Sequence, residues 1–229
     1  MSAAAQLPLE FDHRPALSGE DFLVAECNEE AVAWIDRWPD WPSPALVIHG
    51  PAGCGKSHLA AVFGAASGAH TIGVDDLHAD SLDASAGAVI IEDADSILNS
   101  EVETPLFHLY NRLSETGQRL LLTGLQPPGR WTIGLADLRS RLNAATAVGI
   151  GAPDDALIQA VLVKMFADRQ LEIDTDVIAF VLPRMERSFA AARELVATAD
   201  RLALAERRRI TVPLMKRVLE HPISSSEGE

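Results

Sequence analysis

The first two thirds of the chain alternate between short, unbroken apolar runs and longer segments in which apolar residues recur at helical spacing. Short continuous apolar runs are typical of strands that are buried on both faces of a sheet. The runs predict strands at 45–48, 71–74, 88–91 and 120–122, with a weaker fifth at 146–148, and the helical spacing predicts helices at 29–35, 56–66 and 105–113. Because strands alternate with helices, we expect an α/β domain with a parallel sheet that is covered on both sides.

The pattern changes after the Gly151-Ala152-Pro153 segment, beyond which no buried strand is indicated. Helical spacing recurs at 154–170, 174–186, 188–208 and 213–220. We therefore expect an α/β domain over residues 21–152 and a small all-helical domain over residues 153–220. Residues 1–20 have no sustained period and predict a flexible arm, and the Ser- and Glu-rich residues 221–229 predict a loose tail. Asn28 is a predicted N-cap for the first helix.

Charge narrows the possible partners. The chain carries 33 acidic and 19 basic side chains, net −14, and its first 100 residues hold 16 carboxylates against Arg14, Arg37 and Lys56. Phosphate binding depends on Lys and Arg, so strong direct binding to nucleic acid is not expected. The apolar runs fall short of the ~20 residues of a membrane-spanning helix, and the chain start lacks a signal pattern. We expect a cytoplasmic protein without membrane attachment, in which Cys27 and Cys54 are reduced thiols.

One motif carries clear chemistry. Residues 50–57 read Gly-Pro-Ala-Gly-Cys-Gly-Lys-Ser, which fits G-x-x-x-x-G-K-[ST], between a predicted buried strand and a predicted helix. Backbone N–H groups of such a loop wrap phosphates, the lysine reaches the β and γ oxygens, and the serine binds Mg²⁺. A glycine turn with a chance lysine is disfavoured because pattern and context agree. We expect nucleotide phosphates with Mg²⁺, bound by Gly50, Pro51, Ala52, Gly53, Cys54, Gly55, Lys56, Ser57 and His58. The loop alone does not separate a kinase, a GTPase and a mechanical ATPase.

The third predicted strand ends in two carboxylates, Glu92 and Asp93. In nucleotide-hydrolysing proteins with this loop, such a strand end holds the metal and orients the attacking water. By position, Glu92 is the candidate metal-side residue, together with Ser57, and Asp93 is the candidate base. Two solvated acids at a strand end remain the alternative. Asp95 is a weaker third candidate, for which a helix cap is the favoured interpretation.

Four further stretches allow a family comparison, namely 109–113, 121–124 with Pro127-Pro128, 134–142 and 209–216. With these stretches, the chain resembles the DnaA-type AAA+ ATPases from about residue 6 to residue 220, and within them the DnaA regulatory inactivators, the Hda-like proteins. The resemblance implies an AAA+ fold, in which helices flank a five-stranded parallel sheet and a small all-helical lid domain follows.

The resemblance also implies roles for individual residues. Thr123 matches the sensor-one position, which responds to the γ-phosphate. Arg141 matches the arginine finger, which in such proteins acts on a nucleotide held by the neighbouring subunit, although a solvated surface arginine is the alternative. Phe22 and Val24 match the region that packs on adenine, and on sequence alone they could equally belong to the core.

The N-terminal arm contains Gln6-Leu7-Pro8-Leu9-Glu10-Phe11, which resembles a sliding-clamp-binding motif. The resemblance implies that Gln6, Leu7, Leu9 and Phe11 dock onto the sliding clamp of DNA polymerase III, with apolar side chains in a pocket and Gln6 at its rim. The alternative is that the apolar residues attach the arm to the protein's own domain.

Two positions depart from the family pattern. Glu92 stands where the family has aspartate first in the acidic pair, and Ala190 stands where it has the sensor-two arginine. Arg193, one helical turn later, or Arg187 is a candidate substitute, because residues three apart share a helix face. If neither reaches the nucleotide, the protein binds ADP or ATP but turns it over poorly. We therefore expect weak or partner-dependent ATPase activity.

The leading functional hypothesis is a negative regulator of replication initiation. It binds the sliding clamp and ADP or ATP, presents Arg141 to ATP on the initiator DnaA, and promotes hydrolysis of that ATP. One alternative is a DnaA-like initiator or helicase-loader-type ATPase at the origin, which the acidic first half and the short segment after residue 220 disfavour. The other alternative is a self-contained P-loop enzyme, either a small-molecule kinase or an ATPase. A second copy of the chain is a further candidate partner, because the resemblance to AAA+ proteins is compatible with a homo-oligomer.

Overall fold

The computed structural model describes residues 23–78 and 87–220 of the 229-residue chain. The described residues fall into two compact units, which divide between Ala152 and Pro153. The predicted segments 1–20 and 221–229 lie outside the described residues. Each unit has its own hydrophobic core.

A five-stranded, fully parallel sheet forms the centre of the first unit. Its strands are β1 (Ala45–His49), β2 (His70–Thr71), β3 (Ala88–Ile91), β4 (Arg119–Gly124) and β5 (Thr146–Gly149). The order across the sheet is β2-β3-β4-β1-β5, so β4 lies between β3 and β1. In register, Thr123 pairs with Ile48, and Leu122 pairs with Ile91. The ends of β1, β3 and β4 therefore lie side by side at one edge.

Helices cover both faces of this sheet. They are α1 (Glu29–Asp36), α2 (Lys56–Ser67), α3 (Ala94–Ile97), α4 (Ser100–Thr116) and α5 (Ala136–Asn143). Alternate strand residues point to opposite faces. Val47, Val89 and Leu122 accordingly pack with α4 and α5, whereas neighbouring strand residues pack with α1 and α2. This two-sided burial explains why the strands are continuous apolar runs, and it confirms the predicted fold class.

Two elements of the first unit differ in extent from the prediction. Helix α4 begins at Ser100 rather than at residue 105, because the Asn99 side chain caps it by accepting the N–H groups of Glu101 and Val102. Strand β2 ends at Thr71 because the Gly73 N–H bonds to the Asp76 carboxylate in a turn.

Asn28 occupies the N-cap position of α1, but its side chain does not cap the helix. It is buried and bonds instead to the Ala25 N–H and the Leu23 carbonyl, at 2.9 and 3.0 Å. The predicted capping bond is therefore wrong. The side chain fixes the turn before the helix.

The second unit consists of helices around a core of its own. These are α6 (Asp155–Asp168), α7 (Thr175–Val181), α8 (Phe189–Glu206) and α9 (Val212–Glu220), with a short 3₁₀ turn at Leu182–Arg184 that contains Pro183. Asp154 and Ser188 cap the starts of α6 and α8 with their side-chain oxygens. Apolar side chains of all four helices form the core. In the described part of the chain, no helix has the length and apolar character required to cross a bilayer.

Candidate functional site

The loop between β1 and α2 surrounds the amino group of Lys56. This side chain is 6 % exposed, and its Nζ donates to the carbonyl oxygens of Gly50 and Pro51, at 2.9 and 3.0 Å. Within the described residues, no carboxylate forms an ion pair with it. Because these partners are neutral carbonyl oxygens rather than a carboxylate, an entering phosphate can take over the lysine's donors.

Two glycines give this loop its shape. A Cβ added to Gly50 would lie 2.3 Å from the carbonyl oxygen of Ile150, and Gly55 has a φ of +105°. The first position therefore excludes any larger residue, and the second favours glycine. No side chain caps the start of α2, where Ser57 and His58 are exposed. The uncapped N–H groups and the helix dipole make this start suited to an anion.

Both cysteines occur without a disulfide, as predicted. Cys54 is buried inside the phosphate loop, and burial raises the pKa of its thiol, an effect that the nearby Lys56 charge only partly offsets. At neutral pH the neutral thiol is thus the favoured form. Its position is that of a small apolar group that fills the loop rather than of a nucleophile.

The acidic strand end lies next to the end of β4. Glu92 is half-buried and Asp93 is exposed, with its backbone in the left-handed region at φ 49°. The Asp93 N–H donates to the hydroxyl of Thr123, at 2.9 Å, and Thr123 is fully buried. Neighbouring strands are about 4.8 Å apart, so Glu92 lies two strands, roughly 10 Å, from the strand that leads into the phosphate loop.

Asp95 also connects the ends of β3 and β4, but here the N–H donors follow β4 and the acceptor follows β3. One of its carboxylate oxygens accepts the N–H groups of Leu125 and Gln126, at 2.6 and 3.2 Å. The prediction that Asp95 caps its own helix is therefore wrong, because its side chain binds the loop after β4. Together with the bond between Asp93 and Thr123, this contact fixes the position of the acidic pair relative to the predicted sensor residue.

The donor set at this edge fits magnesium only in part. Among the described residues, no group of three His, Cys, Asp or Glu side chains converges to hold a metal ion. The Ser57 hydroxyl and the Glu92 carboxylate are hard oxygen donors of the kind that Mg²⁺ accepts. Because Mg²⁺ commonly keeps several waters and binds substrate phosphates, two protein ligands are sufficient. A magnesium ion here would depend on the nucleotide for further ligands.

Arg141 projects from α5 onto two aromatic rings of α4. Its guanidinium carbon lies 5.3 Å from the ring centre of Phe107 and 5.6 Å from that of Tyr110. The side chain is exposed, and within the described residues no carboxylate pairs with it. An arginine held by ring faces keeps its charge and its N–H donors for an incoming anion.

Sequence reasoning missed Glu103. Its buried carboxylate accepts the N–H groups of Gly134 and Leu135, at 2.9 and 2.6 Å, at the start of the helix that carries Arg141. A signal was present in the sequence, because an acidic residue at position 103 interrupts the apolar face of α4, which continues at Leu106 and Tyr110.

The second unit holds the candidate sensor-two residues. Ala190 and Arg193 are both exposed on or near the first turns of α8. Arg187 forms an exposed ion pair with Asp155, and this hydrogen bond lowers the pKa of the Asp155 carboxyl. Arg187 is thus engaged within its own unit, and a nucleotide contact of Arg193 stays a prediction.

Several predicted binding residues lie outside the described residues. They are Gln6, Leu7, Leu9 and Phe11 of the arm, and Phe22 of the adenine region. Val24 is described and half-buried, and it packs against the core between the sheet and helices α1 and α2. Its predicted adenine contact stays a prediction.

The Thr123 hydroxyl is expected to contribute measurably to stability. Thr123→Val keeps the shape but leaves the Asp93 N–H without its acceptor, which costs about 1–3 kcal/mol of unfolding free energy. Urea unfolding of the full chain measures this loss, with Thr123→Ser as the matched control that keeps the hydroxyl. Equal stability of the valine and serine variants would contradict the assigned bond.

Comparisons with known proteins agree with this arrangement. Residues 154–219 match the family model described as Hda, lid domain. The chain is similar in structure to domain III of the replication initiation protein DnaA from Thermotoga maritima, with a TM-score of 0.78 and 18 % identity, over 92 % of this chain and 98 % of that one. AMPPCP-bound DnaA from Aquifex aeolicus gives a TM-score of 0.68 and 16 % identity, over 90 % and 69 %.

A more distant structural match comes from a different protein. The Holliday junction branch migration motor RuvB of Thermotoga maritima matches with a TM-score of 0.58 and 17 % identity, over 77 % of this chain and 61 % of that one. At these identities the structural matches establish the fold, and the family model adds the type of the helical unit. The comparisons thus show the AAA+ fold of DnaA domain III for the chain and an Hda-type lid segment at residues 154–219, in agreement with the predicted resemblance.

Proposed function

We propose that this protein is an Hda-like negative regulator of DNA replication initiation. It binds ADP or ATP in its own phosphate loop and is recruited by the sliding clamp. It then presents Arg141 to ATP bound on the initiator DnaA and stimulates hydrolysis of that ATP. The target is thus a nucleotide held by a second protein rather than the nucleotide of its own loop.

The geometry of Arg141 carries this proposal. The guanidinium is exposed, lies over two rings and pairs with no described carboxylate. An arginine finger must reach developing charge on the γ-phosphate, so it must be exposed, charged and fixed in direction. An isolated surface arginine would lack the aromatic support. The Hda-type lid segment favours DnaA as the partner.

Nucleotide binding follows from the phosphate loop. The buried Lys56 and the uncapped start of α2 provide charge and N–H donors for the phosphates, and Ser57 and Glu92 provide oxygen ligands for Mg²⁺. The solved Aquifex aeolicus DnaA structure is bound to AMPPCP, an ATP analogue, in the same fold. Bound nucleotide would supply the γ-phosphate oxygens and metal ligands, while this chain orients them.

Hydrolysis of the protein's own nucleotide is proposed to be slow. The acidic pair begins with Glu92, a longer side chain than the family's aspartate, and Ala190 lacks the donors of a sensor-two arginine. Asp93, the candidate base, is exposed to water. These features favour a protein that uses its bound nucleotide to maintain its structure and acts catalytically on its partner.

DNA proximity is proposed to come from the clamp rather than from direct DNA binding. Net −14 disfavours phosphate contacts, whereas a short segment with a glutamine rim and apolar anchors suits a preformed pocket. The proposed anchors are Gln6, Leu7, Leu9 and Phe11, which precede the AAA+ domain in the sequence.

Capture on immobilised sliding clamp tests this recruitment. A variant with Gln6, Leu9 and Phe11 all replaced by alanine is expected to bind at least tenfold more weakly than wild type, since buried anchors are commonly worth about 2 kcal/mol or more each. The matched control replaces Asp12, His13 and Arg14 by alanine and should bind within about twofold of wild type. Undiminished capture of the first variant would refute clamp recruitment through this motif.

A further inference from the structure

One face of α4 holds helix α5 at both of its ends. Glu103, Phe107 and Tyr110 follow each other at spacings of four and three residues, so their side chains share that face. Glu103 binds the start of α5, and the two rings lie beneath Arg141 near its end. Between these contacts, Leu138 and Leu142 of α5 are fully buried in the core shared with α4.

Glu103 is buried, and both of its carboxylate oxygens have a hydrogen-bond partner. Its side chain is 7 % exposed, and its two oxygens each accept one backbone N–H, from Gly134 and from Leu135. No side chain of α5 itself caps that helix, so the carboxylate of another helix does so. A carboxylate at this end is also favoured by the helix dipole. A Cβ at Gly134 would come within 3.3 Å of Glu103, so the approach is close.

The contact with the rings differs from an ion pair in a way that matters for catalysis. A carboxylate beside Arg141 would neutralise its charge and occupy its N–H donors. Aromatic faces attract the guanidinium through the ring quadrupole and leave the edge of the guanidinium free. The two rings thus fix the direction of the Arg141 side chain and leave its N–H donors available for a phosphate.

We propose that Glu103, Phe107 and Tyr110 are positioning residues of Arg141, which set the distance and direction at which it meets the partner's nucleotide. The inference rests on the proposed function, because it assumes that Arg141 acts as an arginine finger. Substitutions on α4, far from the phosphate loop, would then change the rate at which DnaA-bound ATP is hydrolysed.

A double-mutant cycle between Phe107 and Arg141 tests the proposal in the full-length protein. The measured quantities are the maximal rate of hydrolysis of DnaA-bound ATP and the concentration of this protein that gives half of that rate. A displacement of about 1 Å can cost on the order of a hundredfold. Phe107→Leu, which keeps apolar volume but removes the ring, is expected to lower the maximal rate roughly 10- to 100-fold with little change in the half-maximal concentration.

Two further variants separate positioning from general damage to the fold. Phe107→Tyr keeps the ring and should restore the rate to within about threefold of wild type. Phe180→Leu is the matched control, because Phe180 lies beneath the exposed Arg184 in the helical unit, at 4.2 Å, and its loss should change the rate less than about twofold. Glu103→Gln, which replaces one acceptor oxygen with an N–H₂ group, should act like Phe107→Leu, again through the maximal rate.

The cycle distinguishes the possible failures. If Phe107 acts through Arg141, then Phe107→Leu has no further effect once Arg141 is alanine. A rate that falls in Arg141→Ala but not in Phe107→Leu overturns the positioning role and leaves the finger in place. Equal effects of Phe107→Leu with and without Arg141 overturn it as well. A rate that Arg141→Ala itself leaves unchanged overturns the proposed function and this inference with it.

Discussion

Arg141→Ala is expected to reduce the stimulated hydrolysis of DnaA-bound ATP by roughly 10³- to 10⁵-fold, the range that arginine fingers contribute in phosphoryl transfer. This corresponds to about 4–7 kcal/mol of transition-state stabilisation. The loss arises because the guanidinium neutralises charge that develops on the γ-phosphate. Arg141→Lys keeps the charge but not the planar fork of donors, so most of the loss should remain. A single-turnover assay with labelled ATP preloaded on DnaA measures the rate.

The fold should survive this change, which makes the result interpretable. Arg141 is exposed, and its contact with the rings contributes only about 0.5–1 kcal/mol to stability at such sites. Arg139→Ala is the matched control, because Arg139 is an exposed arginine of the same helix whose guanidinium bonds to the Ile133 carbonyl instead. If both alanine variants lowered the rate equally, loss of charge on α5 rather than a finger would explain the effect.

Lys56→Met is expected to weaken binding of ADP and ATP by the protein itself roughly 10- to 100-fold or more. The lysine supplies charged hydrogen bonds, each worth about 1.5–3 kcal/mol, and methionine cannot replace them. The change also leaves the Gly50 and Pro51 carbonyls without their donor. Equilibrium dialysis or titration calorimetry with ADP and Mg²⁺ measures the affinity.

Lys164→Met controls for the removal of a positive charge. Lys164 lies on α6 and pairs with Asp168 four residues later at the surface, an interaction of little energetic weight. Its replacement should leave nucleotide affinity within about twofold. Full affinity in Lys56→Met would mean that the loop does not bind phosphate in the way its geometry indicates.

The strands and the phosphate loop could be predicted because their signals are local. A strand buried on both faces needs a continuous apolar run, and 88–91 is assigned identically in sequence and structure. The loop requires glycine where φ is positive or where the Ile150 backbone comes close, so the positions of its glycines in the sequence are sufficient to identify it. In such cases the physical requirement acts within a few residues of the signal.

The side-chain contacts between elements could not be predicted, because their partners are about 30 residues apart in the chain. Asp95 binds the N–H groups of the loop after β4, and Glu103 binds those at the start of α5. From the neighbouring sequence alone, an acidic residue near a helix start that binds a distant backbone cannot be distinguished from one that caps its own helix or is solvated. Only the sheet order, which places β4 beside β3, brings Asp93 and Thr123 within hydrogen-bonding distance.

In the proposed function, this protein acts on a nucleotide bound to another protein. The most direct test measures the loss of γ-phosphate from ATP preloaded on DnaA, with the protein bound to ADP or to ATP and the sliding clamp loaded on DNA. We expect hydrolysis to accelerate by orders of magnitude over DnaA alone and to require both the clamp and Arg141. A rate equal to that of DnaA alone, from a protein that binds ADP and the clamp normally, would contradict the account.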